Sequence, residues 1–162
     1  MTQEDKDLLL KDLSTRLTYN VKAYVKNWSK LDRKYYEGVY TVESIDPSLK
    51  TVLACSDKFS VEVIVGYDDY VIKPYLFPLS SITEEQIEEL EELCTMYTPD
   101  DDYHPYAHKG IKVFYKHVLD DGYKFSLDFN TDIIDWLNKN HFDYRGLIEK
   151  GLAIDATILN IY

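Results

Sequence analysis

At Asn20 the spacing of apolar residues changes from helical to two, and this change constrains the fold more than any other feature of the chain. Before it, Leu9, Leu10, Leu13 and Leu17 recur at helical spacing. Thr2 precedes them as an N-cap, and Glu4, Asp5 and Asp7 stand where a helix N-terminus favours negative charge. The pattern predicts a helix over residues 3–16. After it, Val21, Ala23 and Val25 alternate with Lys22, Tyr24, Lys26 and Trp28, the signature of a strand with one buried face. Strand-like runs rich in Val, Ile and Tyr follow at 38–45, 50–55, 60–65 and 70–77, with Asp46-Pro47-Ser48 as a turn between two of them. Short strands in succession predict a small curled antiparallel sheet or partial barrel over about residues 20–77.

Pro74 and Pro78 are expected to end that sheet, because proline donates no ladder hydrogen bond and restricts the residue before it. Thr83-Glu84-Glu85-Gln86 then reads as a capping box opening a Glu-rich helix over 84–97, with Ile87, Leu90, Leu93, Cys94 and Tyr97 on its apolar face. Residues 98–109 lack a period and read as a loop. Two strand-like runs joined through Asp121-Gly122 predict a hairpin over 111–129. A helix follows over 131–140, capped by Asn130 or Thr131, then a turn ending at Gly151 in the left-handed conformation, then an edge strand within 152–161. The fold class is α+β. A chain of 162 residues suits one domain, 1–162, with sub-regions at 1–79 and 80–162.

The net charge of −11 is unevenly spread. Residues 1–73 carry 11 basic and 12 acidic side chains and residues 109–162 carry 7 and 8, whereas residues 74–108 carry nine acids and no Lys or Arg. The acidity therefore belongs to one helix-and-loop segment, 84–102. Such a segment reads either as a solvated helix face or as a surface for a basic, nucleic-acid-binding partner protein, with Glu88, Glu89, Glu92, Asp100, Asp101 and Asp102 as the contact residues.

The opposite feature lies between residues 22 and 36. Lys22, Lys26, Lys30, Arg33 and Lys34 are interleaved there with Tyr24, Trp28, Tyr35 and Tyr36. Cations between stackable rings are what an anionic ligand carrying a base needs, charge for the phosphate and a ring for the base. They equally suit an exposed strand kept soluble by lysine. The predicted ligand-binding set is Lys22, Tyr24, Lys26, Trp28, Arg33, Lys34 and Tyr36. Five cations in so acidic a chain favour a small nucleotide over long nucleic acid.

Asp102, His104 and His108 are the metal candidates, in a spacing that matches no standard site and is broken by Pro105. His141 stands beside Asp143 at a helix end, where a dipole contact accounts for it. Cys55 and Cys94 read as reduced core residues. No glycine-rich phosphate loop, dinucleotide fingerprint or nucleophile arrangement is present, so no catalytic residue and no cofactor is expected. No apolar run approaches the roughly 20 residues that cross a bilayer, and the polar start lacks the pattern of a secretory leader. The expectation is a cytoplasmic protein without a membrane partner.

Three stretches carry a resemblance. They are the opening Glu4-Asp5-Lys6-Asp7-Leu8-Leu9-Leu10-Lys11-Asp12-Leu13, the run Lys73-Pro74-Tyr75-Leu76-Phe77-Pro78-Leu79-Ser80-Ser81-Ile82-Thr83-Glu84-Glu85-Gln86, and the closing stretch from Trp136-Leu137-Asn138 through Phe142-Asp143-Tyr144-Arg145-Gly146-Leu147-Ile148 to Ile154. Over most of its length the chain resembles a family of small proteins from Bacteroidetes phages and mobile elements, from which no activity or functional residue is carried over. The resemblance implies an accessory protein acting in the cytoplasm of a bacterial host. Proteins of that kind often counter host defence, by capturing a signalling nucleotide or by blocking a defence protein. Three function classes stay open: a non-enzymatic nucleotide-capturing protein, whose partner would be a small anionic ligand or a host protein and which could form a homo-oligomer; an acidic protein-interaction module; and a metal-assisted hydrolase built on the loop around His104.

Overall fold

A computed structural model describes residues 1–29, 33–95 and 131–162. The expected loop at 98–109, the hairpin at 111–129 and the candidates Lys30, Asp100, Asp101, Asp102, His104 and His108 lie outside the described residues, as do the side chains of Glu92 and Cys94. The chain divides into two units, Met1–Leu79 with Asn138–Tyr162, and Ser80–Leu137.

The first unit opens with α1 (Gln3–Thr15). Its start is fixed by a reciprocal cap: the Asp5 N–H donates to Thr2 Oγ1 at 3.1 Å and the Thr2 N–H donates to Asp5 Oδ2 at 3.0 Å. A 3₁₀ turn (Leu17–Tyr19) ends at Asn20, whose φ of 54° lies in the left-handed region that Asn tolerates. There the chain turns into β1 (Lys22–Ser29), and β2 (Lys34–Asp46), β3 (Thr51–Cys55), β4 (Ser60–Ile64) and β5 (Tyr70–Leu76) follow. The strand order is β4-β3-β2-β1-β5-β6, where β6 is only Ile154–Asp155. Every neighbouring pair is antiparallel except β5 and β6, so the sheet is mixed and remains open.

Strand β2 curls the sheet. Residues 34–41 pair with β1, residues 41–46 pair with β3, and the register shifts between Val42 and Ser44. An extra residue at that place bends and twists a strand, which lets one long strand serve both halves of the sheet. The concave face holds Val21, Ala23, Val25, Tyr40, Val42, Val52, Ala54, Val61, Val63 and Ile72, and Leu9, Leu10 and Leu13 of α1 pack into it. The turn between β2 and β3 closes as its composition predicts: Asp46 Oδ1 accepts from the Ser48 N–H at 2.9 Å and the Leu49 N–H at 3.1 Å.

Some details depart from the sequence expectations. Pro74 lies inside β5 instead of ending it. It occupies the last pair of the ladder with β1, opposite Ala23, and the parallel pairing with β6 starts at Tyr75, so the missing N–H falls where one ladder hands over to the next. The expected C-terminal edge strand shrinks to two residues. Cys55 stands on the outward face beside Leu53, half-buried, with its thiol 3.2 Å from Ser60 Oγ, and is not a core residue.

In the second unit, α2 (Glu84–Thr95) starts from the predicted capping box, in which the Gln86 N–H donates to Thr83 Oγ1 at 3.3 Å and the Thr83 N–H donates to Gln86 Oε1 at 3.0 Å. Leu90, Ile133, Trp136 and Leu137 are buried, and the Trp136 indole N–H donates to Glu89 Oε2 at 3.0 Å. Trp136 lies on α3 (Thr131–Lys139), whose last residues, Asn138 and Lys139, belong to the first unit. No described helix is long and apolar enough to cross a membrane.

Candidate functional site

Alternation along β1 places Val21, Ala23 and Val25 in the core, which aims Lys22, Tyr24, Lys26 and Trp28 outward. The antiparallel register sets Trp28 opposite Tyr35, Lys26 opposite Glu37, and Tyr24 between Val39 of β2 and Lys73 of β5. Directly opposed residues share a face, so this outer surface gathers Tyr24, Lys26, Trp28, Tyr35, Glu37 and Lys73. Trp28 and Tyr35 meet edge to face, with ring centroids 4.8 Å apart. The Lys26 ammonium lies 4.6 Å from the centroid of the Tyr35 ring, and Tyr35 is 49% exposed.

Glu37 was not part of the predicted set and conditions the rest. Its carboxylate accepts from the Tyr24 hydroxyl at 2.9 Å and stands 3.9 Å from Lys26 Nζ. Burial first, and then the hydrogen bond and negative charge of Glu37, push Tyr24 above the ordinary phenol range, so Tyr24 is a donor. Lys73 was missed as well. Nothing in sequence distance links residues 26, 37 and 73, and only the register brings them side by side.

The predicted set is split between two faces. Lys34 and Tyr36 share the side of β2 that carries the buried Tyr40, opposite to Lys26 and Trp28. There the Lys34 ammonium lies 4.6 Å from the Tyr36 centroid, and Tyr36 meets Phe59 at 6.0 Å. Arg33 is exposed before β2 with a φ of 53°. The end of the β1–β2 pair thus carries a cation-and-ring pair on each face.

Lys22 is taken up elsewhere. Its ammonium donates to the Ile161 carbonyl at 2.6 Å and lies 5.8 Å from the Tyr162 ring. Within electrostatic reach of Tyr162 lies a polar junction that sequence spacing does not reveal. Asp12 and Arg16, both 0% exposed, form an ion pair at 2.8 Å, and the Arg16 guanidinium also donates to the Phe142 carbonyl at 2.8 Å. Arg145 donates to Asp12 Oδ1 at 3.3 Å and to Thr15 Oγ1 at 3.2 Å. The Tyr144 ring flanks both guanidiniums, at 5.4 Å and 4.7 Å.

His141 sits just past the end of α3, where its backbone N–H donates to the Asn138 carbonyl at 3.1 Å, with no bond to the neighbouring Asp143 side chain. The Asp143 carboxylate instead accepts from the Leu147 and Ile148 N–H groups at 2.9 Å and 2.7 Å, which caps the following turn. His141 is 8% exposed, its Nδ1 is buried without a hydrogen-bond partner, and its ring stacks on Tyr162 at 4.0 Å with 14° between planes. Burial, then repulsion from Arg16 and Lys22, lowers its pKa to about 4, so the imidazole is neutral. Burial likewise pushes Tyr162 up to about 12.

On α2, Glu88 is exposed, whereas Glu89 is occupied by the Trp136 indole. Among the described residues no group of three or more His, Cys, Asp or Glu side chains is placed to hold a metal ion. No family model, curated protein or solved structure matches the chain.

Proposed function

We propose that this chain is a non-enzymatic binding protein that takes up a small anionic ligand carrying an aromatic base, a nucleotide in kind, on the outer face of β1, β2 and β5. The observation that carries the reading is the placement of Lys26 over the Tyr35 ring beside Trp28: two aromatic rings and a cation lie within one ligand's span. Lys73, on the same face across from Tyr24, adds a second cation for phosphate. The resemblance to phage and mobile-element proteins supports a role in which capture of such a ligand removes a host-defence signal. With a net charge of −11, a short ligand is favoured over a long polyanion.

Calorimetry against a panel of cyclic and linear nucleotides tests this. One of them is expected to bind, and Trp28→Ala is expected to weaken it by about 5- to 150-fold, the range that loss of one base–aromatic stack of about 1–3 kcal/mol spans. Lys26→Ala is expected to weaken it too, more at low salt than at high salt. Absence of heat with every nucleotide overturns the reading.

A further inference from the structure

The register between β1 and β5 ends at Ala23 and Pro74. One step further along the ladder stand Lys22 and Tyr75, and the Tyr162 hydroxyl occupies the place where they would bond. It accepts from the Lys22 N–H at 3.2 Å and donates to the Tyr75 carbonyl at 2.8 Å. The ring behind that hydroxyl lies flat on His141, with Phe77 beside it at 5.9 Å. Together these groups offer a stacking surface, a backbone donor and a backbone acceptor, all taken by the Tyr162 side chain, and an ammonium held by the Ile161 carbonyl of the same segment.

The segment that brings this side chain is lightly held. Ile158 is 92% exposed and Tyr162 keeps 42% of its surface exposed, and the backbone bonds of Leu159 and Ile161 are local, to Ala156 and Leu159. Segments with few buried contacts open at low cost. His141 is fixed independently, by its N–H to the Asn138 carbonyl and its carbonyl to the Phe77 N–H. The slot therefore has walls that do not depend on its plug.

We infer that the place held by Tyr162 is a binding slot for a planar heteroaromatic ring with a donor and an acceptor on one edge, a nucleobase in kind, and that residues 158–162 form a strap that fills it. The incoming edge replaces the hydroxyl between the Lys22 N–H and the Tyr75 carbonyl, and the ring replaces tyrosine on His141. Release of the strap also frees the Lys22 ammonium from Ile161, which gives a phosphorylated ligand a cation that the closed form withholds. This site goes beyond the outer-face reading and shares none of the residues that carry it.

Full-length Tyr162→Ala, titrated with adenosine and with AMP, tests the slot. A strap closed about nine-tenths of the time weakens apparent affinity about tenfold, so the variant is expected to bind adenosine about tenfold or more tighter than the parent, and AMP tighter again. Addition of Trp28→Ala is expected to leave that gain in place. A folded Tyr162→Ala that binds neither compound better than the parent overturns the inference, as does a gain abolished by Trp28→Ala, which would put the binding on the outer face. If Tyr162→Ala does not fold, the parent decides: adenosine at high concentration is expected to shift the His141 and Tyr162 ring signals in NMR spectra, and unshifted signals overturn the inference.

Discussion

The junction around Asp12 and Arg16 and the outer face around Lys26 and Glu37 are made of the same parts, an ion pair with a tyrosine ring beside the cation. They differ in water. Asp12 and Arg16 are 0% exposed and 2.8 Å apart, whereas Lys26 and Glu37 keep 39% and 59% of their side-chain surface and stand 3.9 Å apart. A buried charge that loses its partner has no solvent to replace it, so the junction is committed to holding α1 against the Phe142 segment. An exposed pair gains little from its own contact, and its members stay available to a ligand. Similar chemistry thus gives a buried structural junction in one place and, in the other, a solvent-exposed pair on the face proposed above for recognition.

Removal of one partner from the buried pair should have the largest effect. Arg16→Met is expected to cost about 3–5 kcal/mol in urea denaturation, because Asp12 would keep only Arg145. Asp12→Leu together with Arg16→Met should cost less than the single change, since no carboxylate is then stranded. A cost below about 1 kcal/mol for Arg16→Met would mean that the two regions do not differ in kind.

The next effect comes from His141 at the rim of the junction. Its folded pKa of about 4 lies below the ordinary value of 6.5, so between these values the unfolded chain binds a proton that the folded chain does not. Stability from this residue is complete above about pH 6.5 and falls as the pH drops towards 4, by on the order of 3 kcal/mol in total. Denaturation curves across that window should show the slope, and His141→Asn, which tolerates the φ of 58° found there, should flatten it. A slope unchanged by that substitution would assign the loss to other groups.

The smallest effect belongs to the exposed pair. A double-mutant cycle on Lys26 and Glu37 is expected to give a coupling below about 1 kcal/mol at low salt. It should fade as salt rises, because the pair is open to solvent. A coupling of the buried size would remove the contrast on which the recognition reading of this face leans.

Much of the fold was legible because it rests on local rules. Thr2 and Thr83 with their reciprocal caps, the alternation from Val21 to Val25 and the Asp46 turn follow from the residues themselves. The candidate site was legible only in part. The interleaved cations and rings of 22–36 were visible, but their division between two faces, and the entry of Glu37 and Lys73, depend on which residue each strand sets opposite the next. Asp12 and Arg16 look in sequence like an ordinary surface pair at helical spacing, and nothing local marks them as buried.

The sequence by itself determined where α1 and α2 begin, which face of β1 enters the core and where the acidity is concentrated, because capping, side-chain period and charge are properties of neighbours in the chain. Tertiary structure alone decided the register of β1 with β2 and β5, the burial of Arg16 beneath Phe142 and the meeting of Tyr162 with His141 and Lys22. Those contacts join residues far apart in sequence, and their energies depend on how much water the fold removes between them.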